Sequence, residues 1–203
     1  MKAIDLSGKI SVIVGGAGDI GGGITRALAE AGSTVIIAYI DSKGAGRIKN
    51  ELEAKSCPES YYFSCNLTDR KAIKNTVSEI TSQVGPINVL VYSAGYSSFA
   101  EFIDLSDEEW EKSMSINLFG AFYFTREYVR LMLGRKMNII IVGSTTSING
   151  SGGGAHYAAS KIGLLGLMKS LTYDLLAKGV RVNIISPGVV DTKMLRIRYP
   201  DTP

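Results

Sequence analysis

Tyr157 and Lys161, in the run Tyr-Ala-Ala-Ser-Lys, stand four residues apart, a spacing that puts both side chains on one helix face, one turn from each other. An ammonium beside a phenol favours the phenolate, so the pair can trade a proton near neutral pH although free tyrosine titrates near about 10. Such a pair also occurs on solvated helices where it does nothing. Two features give it a context: Ser144, thirteen residues earlier, and the glycine-rich run from Val14 to Gly23. Glycine serves such a turn twice, because the tight bend needs unrestricted φ and a pyrophosphate reaches backbone N–H groups only where no Cβ intervenes. Gly16-x-Gly18-x-x-Gly21 satisfies the general dinucleotide pattern, and the surrounding apolar run and helical segment are the context it requires.

The elements that must hold these groups are read from hydrophobic patterning. Strands are predicted over residues 9–14, 34–39, 60–64, 89–93, 138–142 and 181–186, each a compact apolar run of the kind buried on both faces. Helices are predicted over 20–31, 43–54, 69–84, 107–134 with a break near Leu118, and 157–178. Ser106 ahead of Asp107, Glu108 and Glu109 reads as an N-cap with acids in the first turn, where the helix dipole favours them. Alternating β and α elements imply an α/β fold, a doubly wound parallel sheet of six strands in a three-layer α/β/α arrangement. Ligands of such a sheet sit beyond the carboxyl ends of the strands.

Composition narrows the functional classes. A chain of 203 residues, 45% hydrophobic, is expected to form one domain with a sizeable core. The net charge of +3 is scattered, with no basic stripe for nucleic acid or a membrane surface. Cys57 and Cys65 form no Cys-x-x-Cys pattern, and the start of the chain lacks the pattern of a signal peptide. A cytoplasmic protein is expected, with no membrane span and no metal site. His156, the only histidine, is expected near the mouth of the pocket rather than as an acid or a ligand.

Five motifs in order resemble the short-chain dehydrogenase/reductases, in the compact branch that holds 3-oxoacyl-carrier-protein reductases and sugar or polyol dehydrogenases. They are Gly15-x-x-x-Asp19-Ile20-Gly21, Leu90-Val-Tyr-Ser-Ala-Gly95, Ser115-Ile-Asn-Leu-Phe-Gly120, Ser144 with Tyr157 and Lys161, and Val182-Asn-Ile-Ile-Ser-Pro-Gly188 with Thr192. The glycine stretch also reads as the turn of the longer, epimerase-like branch; the Ser-to-Tyr spacing, the Pro-Gly and the short chain favour the compact one. The resemblance implies an NAD(P)-dependent oxidoreductase acting on a secondary alcohol or ketone, with catalytic residues Asn117, Ser144, Tyr157 and Lys161. Tyr157 would exchange the proton, Lys161 would tune it and hold the nicotinamide ribose, Ser144 would bind the substrate oxygen, and Asn117 would keep a water in a proton relay to Lys161. Cofactor contacts are implied at Gly15, Gly18, Asp19, Ile20, Gly21, Tyr39, Asp41, Asn66, Leu67, Ser93, Ala94, Gly95, Tyr157, Lys161, Pro187, Gly188, Val190 and Thr192. The rival reading is a non-catalytic dinucleotide sensor with the same fold.

The chain departs from the family pattern in places. Val14 replaces the usual threonine and Asp19 the middle glycine; Tyr92-Ser93 stands where two asparagines are common, and Asn66 where an aspartate would hold the adenine. Tyr39 occupies the position of an acid that would hold ribose hydroxyls, and neither Gly18 nor Ile40 supplies a basic residue; Asp41 would repel a 2′-phosphate, whereas Lys43 and Arg47 on the next helix could attract it, which leans the expectation to NADP. A homo-oligomer, dimer or tetramer, is expected, with contacts through the segments 107–134 and 157–178. The family's substrate-covering helices and seventh strand would lie beyond residues 201–203, so an edge strand at 181–186, an open substrate side and poor turnover are expected of this 203-residue form.

Overall fold

The structure, a computed structural model, describes residues 4–198. Six parallel strands form one sheet in the order β3-β2-β1-β4-β5-β6: β1 (Ile10–Val14), β2 (Thr34–Tyr39), β3 (Ser60–Ser64), β4 (Val89–Tyr92), β5 (Met137–Val142) and β6 (Val180–Ile185). Each strand lies within one residue of its predicted span. The helices are α1 (Asp19–Glu30), α2 (Ser42–Ala54), α3 (Arg70–Gln83), α4 (Asp107–Met114), α5 (Gly120–Leu131), α6 (Thr146–Asn149), α7 (Ala155–Leu175) and α8 (Lys193–Arg198). α6 and α8 are short additions to the predicted set. The expected edge position of β6 holds among the described residues, whereas the expectation about the chain end concerns residues outside them.

Two apolar layers flank the sheet. On one face α1 and α2 pack Ala29, Ala45, Ile48 and Leu52 against Ile13, Val35 and Ile37; on the other, α3, α5 and α7 pack Ile73, Val77, Phe124, Tyr128 and Leu164 against Val12, Ile36, Leu90 and Ile139. The central strands β1, β2 and β4 are buried almost throughout, as expected of strands covered on both sides. The outer strands differ from that expectation: β3 is mostly half-buried and β6 alternates buried with exposed positions along much of its length, each being an edge strand with only one neighbour.

The strand order reverses between β1 and β4. Register aligns the carboxyl ends there: Val14 lies opposite both Ala38 and Tyr92, and the ladder runs on through Gly15 N–H to Ala38 O at 2.8 Å and Ser93 N–H to Val14 O at 2.9 Å. A crevice at such a reversal is where an open parallel sheet presents backbone to a ligand.

The predicted break near Leu118 is a π-turn over Ser115–Phe119 that joins α4 to α5 without ending the helical path. A π-turn displaces one carbonyl from the regular ladder, and such turns concentrate at functional sites. Here Tyr92, fully buried at the end of β4, donates its hydroxyl to Ile116 O at 2.6 Å.

Candidate active site

At the end of β1 the glycine turn is packed so closely that Gly15 and Gly21 have no room for a side chain. A Cβ on Gly21 would lie 2.1 Å from Gly15 O, and one on Gly15, at φ +77, would lie 2.7 Å from the backbone of Ala94. Buried Thr25 holds the turn from below, donating to Gly16 O and Gly21 O at 3.1 and 2.9 Å; the residue types of the turn alone gave no sign of it. Gly18 caps α1 with no side-chain hydrogen bond, which leaves the helix N-terminus open toward an anion. Asp19 turns its carboxylate aside to accept from Lys193 N at 2.7 Å, tying the segment after β6 to the turn.

A cleft of about 530 Å³ opens on this turn. Of the sequence-predicted residues, Gly15, Gly18, Asp19, Ile20, Gly21, Tyr39, Asp41, Asn66, Leu67, Ser93, Ala94, Gly95, Tyr157, Lys161 and Thr192 line it. Pro187, Gly188 and Val190 instead line a smaller adjoining cavity of about 200 Å³ together with Ser144 and Ser97. Tyr157 is a wall of both. Sequence reasoning missed Tyr96, Lys112 and Met194 in the cleft and Thr145, Thr146 and Ser151 in the cavity, because their places depend on how the loops after β4, β5 and β6 converge.

Several of these side chains are already committed. Asn66 Oδ1 accepts from Thr68 N–H and Thr68 Oγ1 at 3.1 and 2.9 Å, so its carbonyl closes a local turn. Asp41 caps α2 through Lys43 N at 3.1 Å. Arg47 does not reach the cleft; it lies in an open groove with Arg26 and Glu51, 3.9 Å from the Glu51 carboxylate. The Ser93 hydroxyl, by contrast, is buried in the cleft wall with no hydrogen-bond partner. That orphaned group, the open N-terminus of α1 and a glycine turn that allows close approach fit a dinucleotide.

Lys161 is 3% exposed. Its Nζ donates to Val142 O at 2.9 Å and stands 5.6 Å from the centroid of the Tyr157 ring. Burial without a carboxylate partner disfavours the ammonium and pulls its pKa down to about 8. Ser144 Oγ accepts from Thr146 N–H at 3.1 Å, which leaves the hydroxyl proton to be donated into the cavity.

Asn117 is fully buried on the π-turn, and both ends of its amide are used. Oδ1 accepts from Tyr96 N–H at 2.7 Å, and Nδ2 donates to Tyr96 O at 2.9 Å, to Ser160 Oγ at 2.8 Å and toward Ser113 Oγ at 3.2 Å. The side chain therefore clamps the loop after β4 against α7. A Cβ on Gly95 would lie 3.7 Å from both Asn117 Oδ1 and Lys161 Nζ, so all three meet at one point.

His156 is not at the mouth of the pocket: it is fully buried, and its Nε2 lies 3.2 Å from Ser98 Oγ. Its burial follows from facing the loop after β4 instead of the cleft. Among the described residues no group of His, Cys, Asp and Glu is arranged to hold a metal ion, and no helix is long and apolar enough to cross a membrane.

The family model described as short chain dehydrogenase matches residues 9–202. The 3-oxoacyl-[acyl-carrier-protein] reductase FabG of Rickettsia conorii is 37% identical over 193 residues, spanning 94% of this chain and 76% of the relative. The protein of the same name from Escherichia coli (strain K12) is 32% identical over 199 residues, 98% and 80% of the two chains. A solved structure of a putative short-chain alcohol dehydrogenase from Sinorhizobium meliloti 1021 superposes with a TM-score of 0.92 at 30% identity, covering 98% of this chain and 79% of that one. The crystal structure of gox2181 gives 0.89 at 30% identity, with 96% and 77% covered.

Proposed function

The chain belongs to the short-chain dehydrogenase family, as an NAD(P)-dependent oxidoreductase, and from that premise we propose that it reduces a ketone to a secondary alcohol, or runs the reverse oxidation, with Tyr157 as general acid and base. One observation carries the reading: among the residues that line both the cleft that opens on the glycine turn and the cavity that holds Ser144, Tyr157 is the one with a phenol to exchange a proton. When bound, the nicotinamide supplies or accepts the hydride. Tyr157 gives its phenolic proton to the substrate oxygen in reduction and takes it back in oxidation. The buried Lys161 ammonium favours the phenolate that remains and is placed to hold ribose hydroxyls. Ser144 donates its free proton to the same oxygen and stabilises charge developing there.

Asn117 is proposed to serve as a clamp on Tyr96 and Ser160, because every polar atom of its side chain is engaged with the protein. The dinucleotide contacts follow the cleft lining, with Pro187, Gly188 and Val190 on the side where substrate and nicotinamide meet. NADP is the proposed partner. No acid stands at Tyr39; Asp41 lines the cleft with Oδ1 spent on the cap of α2, and with Arg47 turned to Glu51 the residue left to meet a 2′-phosphate is Lys43 at the start of α2. The names of the relatives suggest 3-oxoacyl thioesters as the first ketones to try.

The test mixes the protein with NADPH and a panel of 3-oxoacyl thioesters, diketones and ketoses while reduced-nicotinamide absorbance is followed. Turnover of at least one ketone is expected. Tyr157→Phe should lower it by 10²-fold or more, the low end for a positioned acid–base group, with cofactor affinity nearly intact. Binding without turnover across the panel would favour the sensor, and NADH binding as tightly as NADPH would remove the NADP assignment.

A further inference from the structure

On the side of the cleft away from the glycine turn, four polar side chains from three elements converge. Glu109 on α4 accepts from Tyr96 Oη on both carboxylate oxygens, at 2.8 and 2.7 Å, and from Ser98 Oγ in a short hydrogen bond. With its one proton given to Glu109, Ser98 Oγ accepts at 3.2 Å from Nε2–H of His156, the tautomer this chain of bonds requires. His156 is the residue before Tyr157 in the first turn of α7 and is fully buried. The two hydroxyls hold the Glu109 carboxyl below the usual carboxylate range, Ser98 contributing most, and Lys112 and His156 add to the effect. Lys112 also stacks on the Tyr96 ring at 4.0 Å.

The loop so held lines the site. Tyr96 is part of the cleft wall and Ser97 of the cavity wall. Its backbone is fastened by Asn117 at Tyr96 and by Ala100 N–H to Gly153 O at 3.1 Å. Gly153, at φ +61, has no room for a Cβ, which would lie 2.4 Å from the Phe99 ring. The loop is thus seated on the segment leading into α7. α4 packs directly on α7, and Asn117 ties the π-turn to Ser160 one turn further along α7; at the first turn itself the link to α4 is made by side chains. The chain Glu109, Ser98, His156 makes that link.

We propose that Glu109, Ser98 and His156 are positioning residues that brace the first turn of α7 and so set the place of Tyr157 between the two cavities. The proposal rests on the assignment of Tyr157 as the acid–base group, but its first readout does not need turnover. His156 is the only histidine of the chain, so an imidazole nitrogen signal in a ¹⁵N-histidine-labelled sample belongs to it alone. In a ¹³C-tyrosine-labelled sample the Tyr157 ring signal is assigned by its absence from Tyr157→Phe.

Glu109→Gln keeps shape and removes charge; Ser98→Ala removes the connecting hydroxyl. Each is expected to move both the His156 and the Tyr157 signals, and to lower kcat about tenfold, within the range that a misplacement of about 1 Å produces. NADPH affinity should fall much less than kcat, because none of the three bracing side chains lines the cleft and the glycine turn is untouched. Combining Ser98→Ala with Glu109→Gln should cost no more than the worse single change, as expected of links in one chain. Ser98→Thr, which keeps the hydroxyl, should restore most of the rate. A His156 signal that moves while Tyr157 stays in place would overturn the brace, as would additive losses. A wild type that reduces no ketone would instead sink the functional reading and leave the resonance test of the brace in force. Should Glu109→Gln fail to fold, Ser98→Ala alone decides between these outcomes.

Discussion

Lys161 is the residue whose environment makes the sharpest claim about pH. With its folded-state pKa near 8 against an ordinary 10.5, the buried ammonium is present in both folded and unfolded chains below pH 8, and its desolvation cost is then fully felt. Between 8 and 10.5 the folded chain has released the proton while the unfolded one keeps it. This group's contribution to stability therefore rises with pH through that window. Binding runs the other way, since the ammonium that should hold the ribose is lost from the free protein above pH 8. NADPH titrations by fluorescence from pH 6.5 to 9.5 should show affinity falling above about 8. Lys161→Met should bind weakly at every pH and lack that falling limb. The pair was legible as a spacing of four residues, but burial of the lysine was not, because a lysine on a helix face is more often solvated.

The π-turn is the element on which the site depends most, and its support comes from a different element. Tyr92, at the end of β4, reaches the carbonyl of Ile116 one residue before Asn117, and burial raises the phenol pKa far enough that it acts as a donor throughout the physiological range. Tyr92→Phe leaves that carbonyl without its donor in a buried place, at a cost of about 1–3 kcal/mol. Urea unfolding should register that loss, and reduction should weaken with it if the Asn117 clamp shifts. Gly21→Ala tests the other rigid element. Its Cβ would meet Gly15 O at 2.1 Å, so the turn must open, costing about 1–3 kcal/mol or more in stability and most of the NADPH affinity. A break near Leu118 was expected within the segment 107–134. Its form as a π-turn was not legible, because the bond that steadies it joins residues 24 apart in the chain.

At the scale of the molecule, apolar side chains remain exposed along the outer faces of the π-turn, α5 and α7. Phe119 is 46% exposed, Ile162 54% and Tyr173 88%. Where the elements cross they are in close contact, since a Cβ on Gly163 would lie 2.7 Å from Leu118. A homodimer through those outer faces is the expected state, and sedimentation should give about twice the 21.8 kDa chain mass. Phe119→Glu combined with Ile162→Glu should yield a monomer, as charge in the buried centre of an interface is strongly disfavoured.

What the sequence determined by itself was the order and kind of the elements, the glycine turn and the residues that gather around it. Those are local properties: an apolar run of strand length, a helical period, a turn in which no Cβ fits. The six strands followed from them, and parallel pairing followed from the helices between them. Tertiary structure alone decided what each polar group does on arrival. Asn66 spends its carbonyl on Thr68, Asn117 spends its whole amide on one loop and two helices, and His156 meets Ser98 from 58 residues away. A residue's type limits which hydrogen bonds it can make, but the partner it finds depends on how distant segments close around it, and burial at that point sets what the bond is worth.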